Sequence, residues 1–203
     1  MATFPSTLAH ARAPFLLVPL LAALATGAQA AGFTIYGSSS AAQTLSGGTG
    51  SVTAGSTLDV HDGNVAVTVT GNDATLDNQG TIKQSGTGAN AARAIRDNTG
   101  VTGLTINNGS ATNAAALIQT ADGDVVQMNK ARASVTLNNH GAMISLNASA
   151  GGSQAVDSNA VTDTNIVNNH TGGLLKALEA DAVRPGVDGV VVGAARRRDA
   201  RRA

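Results

Sequence analysis

An apolar residue followed by two Asx residues occurs four times in this 203-residue chain: Leu76-Asp77-Asn78, Ile106-Asn107-Asn108, Leu137-Asn138-Asn139 and Val167-Asn168-Asn169. The second Asx residues are 30, 31 and 30 residues apart. A second phrase keeps the same beat: Ala94-Ile95-Arg96, Val125-Val126-Gln127, Ala155-Val156-Asp157 and Ala182-Val183-Arg184. A third, looser one lies between them: Gly80-Thr81-Ile82, Ala116-Leu117-Ile118, Ala142-Met143-Ile144 and Gly173-Leu174-Leu175. Three features on one period mark a repeat protein, and the content of each repeat selects the architecture.

Each copy holds three short β-type pieces separated by Gly, Asn, Ser, Thr and Asp. None holds an amphipathic stretch long enough for a helix pair, which excludes the helical repeats. A propeller blade needs four strands in roughly 40–50 residues and usually an aromatic signature; these copies are shorter and almost free of aromatics. Three strands and three turns predict an all-β chain, a parallel β-helix (β-solenoid) of roughly 30-residue coils, with equivalent residues stacked about 4.8 Å apart. The column Asn78, Asn108, Asn139 and Asn169 is then expected as a structural Asx ladder. Asn and Asp tolerate the left-handed conformation of a sharp corner, and stacked amides hydrogen-bond from coil to coil.

The chain divides on composition into four parts. Residues 1–30 read as a signal peptide: Arg12 supplies the positive region, Phe15 to Ala25 the apolar run, and Ala28-Gln29-Ala30 the small residues a signal peptidase needs, with cleavage after Ala30. The apolar run is too short for the ~20 residues of a membrane span and is broken by Pro19. Residues 31–70 read as an entry or capping segment, with Gly37 to Gly55 an entry stretch or an imperfect first coil; Val65 to Val69 alternates as a half-buried strand after an Asp62-Gly63 turn, either a cap on the end of the solenoid or another coil whose repeat has drifted. Residues 71–193 form the repeat region. Residues 194–203 carry five Arg and one Asp, and read as an out-of-frame or disordered tail: the next Asx pair is due near Arg198-Asp199.

With no Cys, stability has to come from backbone ladders and apolar stacking. Aromatic content of 2% against 42% hydrophobic implies a core of Ala, Val, Ile and Leu and does not suit a sugar-binding or base-stacking surface. Residues 31–193 hold 12 acidic and 7 basic groups, a net charge of −5. Together these argue against nucleic acid as a partner.

Candidate chemistry was sought by column. Arg93, Asp124, Gln154 and Asp181 precede the second phrase's central residue by two places; Arg96, Gln127, Asp157 and Arg184 follow it. Stacking puts Arg93 against Asp124 and Asp157 against Arg184, a surface charge ladder rather than an active site. His140 and His170 share the place after the Asx pair, a spacing that suits a pH-sensitive pair or a metal, though two turn residues are the simpler reading. Asp122-Gly123-Asp124 reads as a turn, because the nonapeptide pattern of calcium-binding β-rolls is absent. Asn108-Gly109-Ser110, Asn147-Ala148-Ser149 and Asn169-His170-Thr171 match the glycosylation acceptor pattern. No catalytic, cofactor-binding or metal-binding residue set emerges; the expectation is a protein that is not an enzyme and has no cofactor.

Val135-Thr136-Leu137-Asn138-Asn139-His140-Gly141 and Ala180-Asp181-Ala182-Val183-Arg184-Pro185-Gly186, together with a signal peptide and no Cys, resemble passenger domains of bacterial autotransporters over roughly residues 71–190. The resemblance implies a right-handed parallel β-helix at the cell surface, exported by the inner-membrane machinery and then across the outer membrane. It implies an outer-membrane β-barrel in a full-length protein; no barrel strands are recognised in this chain, whose own expected location is the periplasm. The implied role is adhesion, with a host surface or extracellular matrix as partner. Two rivals are a secreted β-helical polysaccharide-degrading enzyme, which needs clustered acids on one face, and a small complete secreted solenoid.

Overall fold

The computed structural model describes residues 31–192; the cleavage residues Ala28 and Ala30 and the Arg-rich segment 194–203 lie outside the described residues. The chain winds through six three-stranded turns and begins a seventh. The first turn is β1 (Phe33–Ile35), β2 (Ser38–Ser39) and β3 (Gln43–Leu45), and the second is β4 (Thr49–Val52), β5 (Thr57–Val60) and β6 (Val67–Val69). β7 (Thr75–Asn78), β8 (Thr81–Gln84) and β9 (Ile95–Asp97) make the third; β10 (Leu104–Asn108), β11 (Leu117–Thr120) and β12 (Val126–Met128) make the fourth. β13 (Val135–Asn139), β14 (Ala142–Ser145) and β15 (Val156–Asp157) form the fifth, and β16 (Asn165–Asn169), β17 (Leu174–Ala177) and β18 (Val183–Arg184) the sixth, before β19 (Gly189–Val192). Every third strand pairs in parallel with its equivalents, giving a seven-stranded sheet from β1 to β19 (sheet A) and two six-stranded ones, sheet B from β2 to β17 and sheet C from β3 to β18. The fold is a parallel β-helix.

Strand alternation makes the core. In β5, β7, β8, β11 and β14 half-buried and buried residues alternate, so one face of each short strand lines the interior. Sheet A contributes the column Leu76, Ile106, Leu137 and Val167. Sheet B contributes Leu58, Ile82, Ile118, Met143 and Leu175, and sheet C Val67, Ile95, Val126 and Val156. All of these are buried. Most strands send two or three side chains inward, and aliphatic columns from three sheets fill the interior, so aromatics are not needed there.

Of the two readings of residues 31–70, a cap or a coil off the beat, the structure has the coil. These residues already form two turns of the same three sheets, and Val67–Val69 is an ordinary rung of sheet C between Gln43–Leu45 and Ile95–Asp97. Val65 lies outside the strand. These turns are short: the register step in sheet A is 17 residues from Phe33 to Gly50 and 26 from Gly50 to Leu76, so they fall off the 30-residue beat. At Gly50 the inward position has no side chain, and the Phe33 ring fills it: a Cβ there would lie 2.6 Å from the ring.

The third phrase is also out of register in one copy. Met143, not Ile144, pairs with Ile118 and Leu175, and Ile144 faces outward beside Gln119 and Lys176. A one-residue shift exchanges the faces of a strand. The shift follows from Gly141, packed under the coil above so closely that a Cβ would lie 2.2 Å from the Ala116 carbonyl oxygen. The strand therefore starts at Ala142, and flexible Met143 fills the core.

One buried position breaks the apolar pattern. Asn165 follows Leu104 and Val135 in its column; its Nδ2 donates to the Asp163 carbonyl at 3.1 Å, while its Oδ1 is buried without a partner. Asn165→Val is expected to raise stability by about 1 kcal/mol, the cost of one orphaned acceptor. An unchanged or lower urea midpoint would contradict this.

Candidate functional site

The Asx doublet builds two ladders. Adjacent residues in a strand face opposite ways, so Asn78, Asn108, Asn139 and Asn169 point into the solenoid and are buried. Asn78 Nδ2 donates to Asn108 Oδ1 at 2.8 Å, Asn108 to Asn139 at 2.8 Å, and Asn139 to Asn169 at 2.7 Å. The second hydrogen of each amide is also used, on the carbonyls of Leu117 (3.1 Å), Ala142 (3.0 Å) and Leu174 (3.2 Å). Asn169 closes the chain on the Gly173 carbonyl at 3.0 Å. The left-handed conformation expected of this column is absent: its members end strands of sheet A, and Asp73 (φ 54°) is the one non-glycine residue with positive φ among the described residues. The amides hold the corner between sheets A and B by bonding its carbonyls, rather than by turning there themselves. Toward the N-terminus the same column holds Val52 and Ile35.

The outer ladder was missed by the sequence reading, although the doublet signals it. Asn168 Nδ2 donates to Asn138 Oδ1 at 2.9 Å and Asn138 to Asn107 at 3.0 Å, with Asp77 next in register. Immediately after the doublet, His140 and His170 do stack, with ring centroids 4.0 Å apart and planes 1° from parallel. Gly109 occupies the equivalent place one coil earlier, in a left-handed conformation (φ 74°). Its missing side chain opens a shallow groove of about 300 Å³ edged by Asp77, Asn107, Asn138 and His140. Parallel imidazoles direct their nitrogen lone pairs side by side instead of at a common point, so this arrangement does not suit chelation. Among the described residues no group of three or more His, Cys, Asp or Glu side chains could hold a metal ion.

Sheet C carries the charged cluster. Arg93 Nε lies 3.6 Å from Asp124 Oδ2, as the column reading expected. Asp124 is only 5% exposed. Burial pushes its carboxyl above the usual carboxylate value and nearby Asp157 adds to this, while the Gln154 N–H and Arg93 oppose it. Its oxygens accept from Gln154 N at 2.8 Å and Gln127 Nε2 at 3.1 Å. Arg96, beside Arg93, is held below its ordinary value by burial and then by the Arg93 charge. Arg93 Nε, Arg96 Nε and Gln127 Oε1 are buried without hydrogen-bond partners. Asp157 and Arg184 are register partners as expected. Asp122 serves as turn chemistry, its Oδ2 accepting from Gly88 N at 2.9 Å.

The acceptor-pattern asparagines are structural in the fold. Asn108 and Asn169 belong to the buried ladder, and Asn147 donates to the Asp122 carbonyl and Ser153 Oγ. Comparison with protein-family models, curated proteins and solved structures gives no match to this chain.

Asn139→Ala orphans the Asn108 donor, the Asn169 acceptor and the Leu174 carbonyl together; a loss of about 3 kcal/mol is expected in urea unfolding, and a loss under about 1 kcal/mol would mean that the ladder carries little. The histidine stack predicts a pH dependence. Desolvation, then the charge of His170, holds the His140 imidazole below its ordinary value of 6.5. The unfolded chain then binds the proton more readily, so this contribution is complete above the unfolded value and is lost as pH falls below it. Stability is expected to drop as pH is lowered from 7.5 toward 5, and His170→Asn to flatten that slope. An unchanged slope in the variant would remove the stack as its cause.

Proposed function

We propose that the chain is the N-terminal part of an autotransporter passenger, a non-catalytic, surface-displayed β-helix that acts in adhesion or interaction. The observation that carries this reading is the coil-on-coil register, which lines up outward columns of polar side chains over six turns. Such long stacked faces are how solenoids bind. The leader pattern of residues 1–30 and the lack of Cys support an export route. A host surface or matrix component is the proposed partner class.

The rival hydrolase reading draws on one observation, the raised carboxyl of Asp124 near Asp157. Against it, Asp124 is bound by Gln154, Gln127 and Arg93 and has little access to solvent. An acid catalyst has to reach the scissile oxygen.

Expression of the full chain in a Gram-negative host tests the export reading. The expected product is periplasmic with Ala31 at its N-terminus; an unprocessed cytoplasmic product would sink it. Translation of the DNA beyond the Gly186 codon in all three frames is expected to resume Asx-pair coils and end in alternating barrel strands of about ten residues. Turnover of pectin-like or other glycan polymers by the purified protein would instead favour the hydrolase.

A further inference from the structure

Three of the four buried side-chain atoms without hydrogen-bond partners among the described residues, Arg93 Nε, Arg96 Nε and Gln127 Oε1, fall in one place on sheet C. Buried polar groups are nearly always paired, so such a cluster calls for an explanation. Gln127 is 9% exposed, and its amide is anchored at Nε2 on Asp124, which leaves Oε1 as its unused end. Arg93 touches Asp124 through Nε alone. Arg96 lies beside Arg93 closely enough for their charges to oppose each other, with its nearest acid, Asp124, already engaged. Two guanidinium groups therefore lie near one carboxylate that is paired with only Arg93, and burial disfavours that carboxylate in its charged form. The local surplus is a cation with planar, forked donors, which suits an oxyanion.

The surroundings narrow the class of ligand. Along the outward column, Thr68, Arg96, Gln127, Asp157 and Arg184 follow one another coil by coil. Every member is polar, so the face has no apolar pockets for peptide side chains. The internal strands of sheet C are paired on both edges, which leaves no backbone for β-augmentation there. The column offers no aromatic ring on which nucleic-acid bases could stack. A polymer with spaced anionic groups and many hydroxyls fits: Arg93 and Arg96 take the anion, while Gln127 and Asp157 accept from hydroxyls. Connections from sheet B to sheet C border this face; those of the third and fifth turns are ten residues each (85–94 and 146–155), against five (121–125) in the turn between them. Insertions of this kind commonly flank a solenoid's binding face.

We propose that Arg93 and Arg96 form a receptor for the oxyanion of an acidic polysaccharide laid across sheet C. This rests on the interaction reading above and names its partner class. The anion is a carboxylate or a sulfate, and the test separates them. Binding of the purified, processed full chain to polygalacturonate, dextran sulfate and neutral dextran is measured by calorimetry at low and at physiological salt. One anionic polymer is expected to bind in preference to dextran, and more weakly as salt rises. Arg96→Gln is expected to weaken that binding about tenfold or more, the loss of a charge-assisted contact. Arg96→Lys is expected to fall between the two, and Arg132→Gln, remote from the cluster, to bind like the parent. Arg96 makes no ion pair that the fold needs, so its variants separate binding from folding, checked by thermal melting. No binding to either anionic polymer, equal binding to dextran, or parent-like binding by Arg96→Gln would overturn the site and leave the export test untouched. Cleavage of a bound polymer would overturn the non-catalytic reading while supporting the site.

Discussion

A primary amide in an apolar interior is tolerable only when both its hydrogens and its oxygen are engaged, and the inner asparagine column meets that condition by using the coil above and the coil below. Asn108 and Asn139 each accept from one neighbour, donate to the next and donate again to a corner carbonyl. A slip of one residue in any coil would set the outward Asx of the doublet, or the Gln, Gly or His that follows it, against the inner column, and would break the amide-to-amide and amide-to-carbonyl bonds together. The aliphatic columns oppose the same slip, because it would turn Leu76, Ile106 and Leu137 outward. The amides add directional bonds to that preference, and the aliphatic columns supply the bulk of the burial.

With the register held in sheet A, the other corners are free to vary. Sheet B to sheet C connections range from three to ten residues without disturbing the parallel ladders on either side. Buried polar side chains absorb the variation: Gln84 Nε2 donates to the carbonyls of Asp62 and Asn90, and Ser145 Oγ to that of Gly123. Asp97 does the same after sheet C, accepting from the N–H groups of Thr99, Gly100 and Val101. The Arg93, Arg96 and Asp124 cluster stands next to the corner that tolerates insertion, where new side chains can be added without altering the core.

The sequence was legible where a residue type served one purpose in every coil. Ile106-Asn107-Asn108 and Val126-Gln127 repeat that way, and their registers follow directly from alignment of the phrases. It misled where chemistry has two uses. Asparagine suits left-handed corners as well as amide ladders, and only the burial of Asn78, Asn108 and Asn139 separates the two. Ala142-Met143-Ile144 offers two adjacent apolar residues, and the choice between them depends on how closely Gly141 packs, a contact with a residue 25 positions away. The first two turns could not be told from a cap, because they fall off the 30-residue beat and Gly50, with Phe33 over it, replaces the aliphatic residue that marks the later coils. At the charged cluster the Arg93–Asp124 pairing is readable from the columns, but the absence of partners for Gln127 Oε1 and Arg96 Nε is a matter of burial, which the order of residues does not carry.

The two asparagine ladders run in opposite senses. The inner one donates from each coil to the following one, from Asn78 toward Asn169, and the outer one donates back, from Asn168 toward Asn107. Each column of aligned amides is a line of dipoles, and a single line would accumulate opposite partial charges at the two ends of the solenoid as a helix does. Side by side and antiparallel, their axial components oppose one another. Coils can then be added in any number without a growing field along the axis from these side chains, so the doublet imposes no electrostatic limit on the length of a solenoid built from it.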